Sequence, residues 1–245
     1  MEHFSVGQLK AMPFFQSLSE ELIRLLLEKG RLTAAPKKKL LFSRQEPAGA
    51  VLLLLSGQAA VYNITKHGNR KILFFLGKGH LLNHDIQSQR PASIYCEAIT
   101  DIQLLQIEKA EFLKLMEKHF SLTQAVLSEY ECYLWRLSYQ LKNTSGSMQT
   151  ERKIAAKLWK LGRDFGEKQE DGIHINLPFT MTLMADFAGI PRPENGEESG
   201  LPARWTAIQT LPEESVSART RENVCVSRFF TRYTIIKTAL GTICA

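Results

Sequence analysis

His80 and His84 stand four residues apart, the spacing at which a helix sets two metal ligands on one face. Only Asp85 adds a carboxylate nearby, and the pair follows the turn glycine Gly79. Two polar loop histidines are therefore the stronger reading than metal or haem ligands. Cys96 has no clear activating base beside it, which makes it a buried structural thiol before a reactive one. The carboxylates Glu20 and Glu21 sit at a helix start, where the helix dipole accounts for them. There is no nucleophile elbow, no GxxxxGK[ST] loop and no HExxH. The cysteines Cys96, Cys132, Cys225 and Cys244 form no CxxC, which argues against a zinc or iron-sulfur site on close pairs and fits a reducing cytoplasm. These residues point away from an enzyme and away from a metal. The stretch LPFTMTLMADFAGIPRPE (177–194) carries a different chemistry. Leu183, Met184, Phe187 and Ala188 form an apolar helical face running into Gly189, which permits the positive φ of a tight turn. Ile190 follows as a buried turn residue, and Pro191, Arg192 and Pro193 suit the first turn of a second helix. That is the layout of a helix-turn-helix, whose second helix enters the major groove of duplex DNA.

The pattern stops after Glu194. The chain reads NGEESGLPARW, whose glycines and proline oppose a three-turn helix. Residues 1–195 hold sixteen lysines, nine arginines and five aspartates, whereas 196–245 hold one lysine, five arginines and no aspartate. Such a shift is expected of a tail translated out of the ancestral frame, after a small insertion or deletion near the Asn195 codon. The other reading is a divergent domain whose second helix begins later, in TLPEESVSARTRENVCVSR, with Thr210 as cap, Glu213 three residues on, and Arg219 and Arg221.

The elements that must position these residues are legible in outline. Residues 8–30 read as a helical opening, with Ser19 as N-cap and Gly30 as stop. From Leu32 to about Ile107, short apolar runs alternate with the turn signals EPAG, SG, KHGN, GKG and QRP, which predicts a β-sandwich or small barrel. Lys109 to Lys142 reads as one long helix, and Val126, Tyr130, Tyr133, Leu137 and Leu141 make an apolar stripe along it. A partner helix from a second copy is the expected cover for that stripe, giving a homodimer; packing on the chain's own sandwich is the other reading. NTSGSMQ (143–149) is a polar hinge, ERKIAAKLWKLGRDFG a helix capped by Thr150, and IHINLP a short strand. The longest apolar run, AVLLLL, has six residues, too short for a membrane helix, and MEHFSVGQLK lacks the form of a signal peptide. A net charge of +6 is compatible with nucleic acid but weak evidence for it.

In combination the segments PFFQSLSEELI, PKKKLLFSRQEPAGAVLLLLSGQAAVYNITKHGNRKILFFLGKGHLL, CEAITDIQLLQIEKAEFLKLM, RKIAAKLWKL and LPFTMTLMADFAGIPR resemble the cyclic-AMP receptor and fumarate-nitrate regulator (Crp/Fnr) superfamily of bacterial transcription factors. Gly57, Gly68 and Gly79 fall on that family's turn glycines. The resemblance spans about Phe14 to Arg192. It implies an α+β architecture: a cyclic-nucleotide-binding-like jelly roll (1–108), a dimerisation helix and hinge (109–145), a partial winged helix-turn-helix (146–195) and an atypical tail (196–245). It also implies a cytoplasmic, effector-gated DNA-binding regulator. Cyclic-AMP binders of the family carry a Gly-Glu pair after the GxG turn and an Arg-Ser or Arg-Thr pair on the phosphate. Here Asn83 and His84 take the first position, and Arg90 is followed by Pro91 with Ser93 close by. Those four residues are the effector candidates. The missing carboxylate argues against cyclic AMP, and the absence of cysteine before Cys96 argues against the family's iron-sulfur cluster. A different small organic effector remains. On the DNA side the resemblance assigns Arg192 to a base or phosphate, with Thr180, Arg152 and Lys153 near the backbone. Pro193 and Glu197 replace the family's usual glutamate and second arginine, and a carboxylate facing phosphate opposes binding. A sensing dimer that has lost specific DNA binding is the alternative.

Overall fold

Ser5 and Ser19 each open a helix by accepting a hydrogen bond from a first-turn amide. The helices are α1 (Val6–Lys10) and α2 (Glu20–Lys29), separated by a 3-10 turn at Pro13–Phe15 that buries Phe14 and Phe15. The helical opening is thus two helices and a turn. The computed structural model describes residues 4–47, 49–87, 90–143, 150–169, 172–178 and 180–190, and the chain divides into two compact units, 1–146 and 147–245.

The first unit is a jelly roll of eight strands: β1 (Arg31–Ala35), β2 (Leu40–Phe42), β3 (Ala50–Ser56), β4 (Ala59–Ile64), β5 (Arg70–Leu76), β6 (His80–Leu81), β7 (Tyr95–Ala98) and β8 (Ile102–Glu108). They form two antiparallel four-stranded sheets, β1-β8-β3-β6 and β2-β7-β4-β5. Alternation splits β3 between two cores. Val51, Leu53 and Leu55 pack with Leu105, Ile107 and the helices, while Leu54 faces Val61, Phe74, Cys96 and Leu104 between the sheets. The KHGN turn closes the β4–β5 hairpin, with Gly68 at φ 78° donating to Thr65 O. Gly57 also sits at positive φ, and a Cβ there would run into the carbonyl of Asp101 and the hydroxyl of Thr100.

The long helix expected from Lys109 onward is two helices. Helix α3 (Lys109–Lys118) ends at His119, whose backbone is extended at φ −123° and ψ 93°. Its N–H still bonds Leu115 O, and its carbonyl accepts from Leu122 N to start α4 (Phe120–Asn143). The Thr123 hydroxyl bonds Met116 O across the break. No glycine or proline marks the site, so apolar periodicity ran through it unbroken.

In the second unit, α5 (Thr150–Phe165) is followed by a hairpin of β9 (Gly166–Gln169) and β10 (Gly172–Ile175), and by α6 (Met181–Ala188). Only β10 was expected, because GEKQ is polar and gives no alternating signal. Leu158 and Leu161 of α5 are buried, as are Leu177, Met184, Phe187 and Ala188. Thr180 caps α6 by accepting from Leu183 N, and Gly189 ends it in the left-handed region at φ 67°. Ile190 then donates to Ala185 O. This is the helix and turn expected of the first half of the motif. The hinge 144–149 and everything from Pro191 on, including Arg192, Glu197 and the tail, lie outside the described residues.

Gly57→Ala is expected to lower the stability of the first unit by about 1–2 kcal/mol from the left-handed backbone alone, and by more if Thr100 and Asp101 cannot shift. A fall in the urea midpoint with an unchanged slope checks it.

Candidate effector site

The segment after β6 has no strand neighbour to satisfy its backbone. Side chains and neighbouring carbonyls do that work. Leu82 N donates to Leu52 O of β3. Asn83 turns back onto the same strand: its Oδ1 accepts from Leu52 N and its Nδ2 donates to Ala50 O, both at 2.9 Å. The carboxamide is buried and committed to the fold. Lys109 Nζ donates to Asp85 O at 2.8 Å.

Helix α4 supplies the remaining partners. The Tyr133 hydroxyl donates to Leu81 O at 2.9 Å, and the Tyr130 hydroxyl donates to His84 O at 3.0 Å. Burial raises both phenols, Tyr133 well above its ordinary value, so both stay protonated donors. Glu129, buried, lies 3.2 Å from His80 Nδ1. The His84 ring is edge-on to Tyr133 with centroids 3.8 Å apart. Burial lowers its pKa to about 4, with Glu129 acting in the opposite direction, so the imidazole is neutral at pH 7. Phe74 of β5 meets Tyr133 edge-on at 5.2 Å, and Arg136 stands over the Phe74 ring. Gln140 donates to Leu73 O at 2.8 Å.

The four effector candidates therefore do not converge. Asn83 holds β3 and His84 faces Tyr133, while Arg90 and Ser93 lie exposed on the loop before β7. That loop is fixed by backbone bonds between Ala92 and residues 45 and 46. His80 and His84 lie on a short strand and a loop rather than on a helix, and no group of three metal-ligating side chains occurs among the described residues. Cys96 is fully buried and its thiol is pushed up by that burial, which makes it a core residue. Sequence reasoning missed Glu129, Arg136 and Gln140, polar residues on a helix whose docked face was not known in advance. It also passed over a cluster on β4, β5 and β7. There Tyr62 stacks on Tyr95 across the strands, and Arg70 lies 3.8 Å over the Tyr62 ring and 2.9 Å from Glu97.

The stripe assigned to a dimer is corrected in part. Val126 and Tyr133 are buried against their own roll, and Tyr130 is half-buried there, so they offer no free face to a second copy. Leu137 is partly exposed, and the side chain of Leu141 lies outside the described set. The outward face instead carries Phe120, Leu127 and Leu134, exposed by 70%, 53% and 64% and seven residues apart. In the second unit Thr180 is spent on capping α6, Lys153 is half-buried, and the side chain of Arg152 is outside the described set.

Residues 32–119 match the family model "Cyclic nucleotide-binding domain". Solved structures with the same fold include FixK2 from Bradyrhizobium japonicum, at 17% identity and a TM-score of 0.57 over 66% of this chain and 78% of that one. The c-di-GMP responsive global regulator CLP of Xanthomonas campestris matches at 14% identity and a TM-score of 0.62, over 71% of this chain and 86% of that one. A CooA variant from Carboxydothermus hydrogenoformans matches at 18% identity and a TM-score of 0.57, over 67% and 72%. No curated protein matches the chain. The chain shares the fold of these three structures. In the first unit, Asn83 is bonded to β3 and the His84 ring is lodged against α4.

Two outcomes follow from the geometry. Asn83→Ala strands the buried Leu52 N–H and Ala50 carbonyl and is expected to cost about 1–3 kcal/mol in equilibrium unfolding. The folded pKa of His84 lies below its unfolded value, so its neutral form stabilises the fold fully above pH 6.5. That contribution is lost as pH falls from about 6.5 to about 4, on the order of 3 kcal/mol in all. His84→Phe should flatten this part of the stability–pH curve, measured by urea titration at each pH.

Proposed function

We propose that the chain is an effector-responsive transcription regulator that works as a homodimer and binds operator DNA through its second unit. The reading is carried by one juxtaposition on α4. One face of the helix is bonded to the roll, and another presents apolar residues every seven positions, the repeat of a two-helix seam. In sequence, α4 leads to a unit with a capped helix ending in a left-handed glycine, the opening of a helix-turn-helix. Arg192 then contacts a base or phosphate, with Arg152, Lys153 and Thr180 near the backbone.

The effector enters the roll and is a small organic molecule other than cyclic AMP. Supporting this, His84 stands where the family's ribose carboxylate would be, as a neutral ring lodged against Tyr133, and Asn83 beside it is bonded to β3. Among the described residues the cysteines are Cys96, buried in the core, and Cys132, exposed on α4, so none there forms a close set of the kind an iron-sulfur cluster takes. One structural neighbour is c-di-GMP responsive, so cyclic dinucleotides belong first in a thermal-shift screen of ligands.

Binding of the full chain to a duplex enriched from a random pool, and to random duplex, tests the DNA reading. A regulator should lose affinity steeply with salt and favour the enriched duplex by about a thousandfold or more. Weak binding indifferent to sequence would sink the reading and leave a sensing module without a reader. For the dimer, Leu134→Glu should convert the protein to a monomer in sedimentation at micromolar concentration, whereas Ser138→Glu, close by on the same face, separates simple charge addition from loss of the leucine.

A further inference from the structure

The bonds from α4 to the roll run from Glu129 through Tyr130 and Tyr133 to Gln140, about three turns of helix. Their partners are His80, the carbonyls of His84 and Leu81, and the carbonyl of Leu73 on β5. Between the two phenol bonds lies the His84 ring, edge-on to Tyr133, which in turn meets Phe74 edge-on. Tyr133 is packed into the apolar interior with Leu54, Val61, Phe74, Leu82 and Leu104. The chain thus places its own aromatic side chain and its own hydrogen bonds between the roll and α4.

We propose that this protein seats α4 by an internal ligand: His84, clasped by Tyr130 and Tyr133, fixes the helix on the roll before any effector is bound. The seat is not fully satisfied. His84 Nε2 and Asp85 Oδ2 are enclosed without a hydrogen-bond partner among the described residues. An effector that bonds to those two atoms would act on the seat itself, by drawing His84 away from Tyr133. This rests on the reading of the roll as the sensor, and it sets the sign of the response: effector entry loosens α4.

Hydrogen exchange on the full chain tests this through the α4 amides. In ligand-free wild type they should exchange as slowly as those of β3 and β8. Tyr130→Phe/Tyr133→Phe keeps both rings and removes both phenol bonds, so it should speed α4 exchange about tenfold or more while leaving β3 and β8 unchanged. His84→Ala should act in the same direction. Cyclic AMP at millimolar concentration should leave α4 exchange unchanged or speed it. Fast α4 exchange in ligand-free wild type, an unchanged rate in the double variant, or slowing by cyclic AMP would each overturn the proposal. Leu134→Glu distinguishes the sources of protection. If it alone releases α4 while the double variant does not, a partner helix holds α4 and the internal seat is wrong, with the regulator reading left standing. If DNA binding fails but the double variant releases α4, the seat stands and the regulator reading falls.

Discussion

A buried stretch of irregular backbone must find hydrogen bonds somewhere, and residues 81–85 of this chain set that demand. A strand inside a sheet satisfies its neighbours by repetition, whereas a segment that leaves the sheet beneath a helix cannot. Here the demand is met piece by piece: Leu81 O by Tyr133, Leu82 N by β3, His84 O by Tyr130 and Asp85 O by Lys109. The partners come from β3, α3 and α4, so the segment ties these three elements into one unit. Position 83 contributes both a donor and an acceptor to β3, a role a glutamate could not fill because an ionised carboxylate accepts only.

Much of the first unit was legible because it rests on local rules. Turn glycines at 57, 68 and 79 take positive φ as their spacing implied, and the apolar runs between them are strands. The helix and glycine of 181–189 follow from the same kind of local chemistry. What was not legible depends on tertiary contact. The break at His119 has no sequence signature, because an extended histidine between two helical stretches is stabilised by bonds on either side of it. The stripe from Val126 to Leu141 was read as a single apolar face, yet the roll takes Val126 and Tyr133, and the free apolar face lies farther round the helix. Tyrosine made this ambiguous: an apolar ring with a polar tip suits an interface, and it suits equally a buried site with a carbonyl to bond.

The same ambiguity affected the effector candidates. Sequence position relative to a family motif picks out a loop but not the direction of its side chains. Asn83 points to β3, His84 to α4, and the loop bearing Arg90 and Ser93 is exposed. The contacts that organise this side of the roll come mainly from α4, where Glu129, Tyr130, Tyr133 and Gln140 lie on one surface. A helix expected to serve dimerisation is also bonded along the roll.

The outward residues Phe120, Leu127 and Leu134 recur at a strict interval of seven, while a straight α-helix completes two turns in slightly more than seven residues. Such a row drifts about 20° per repeat around the helix surface. Two copies of α4 that kept these residues facing each other along their length would have to wind about one another with left-handed supercoiling. Each roll is bonded along a different side of its helix, so it would be carried round the common axis with the winding. A small change in pitch would then appear, at the far end of α4, as a rotation.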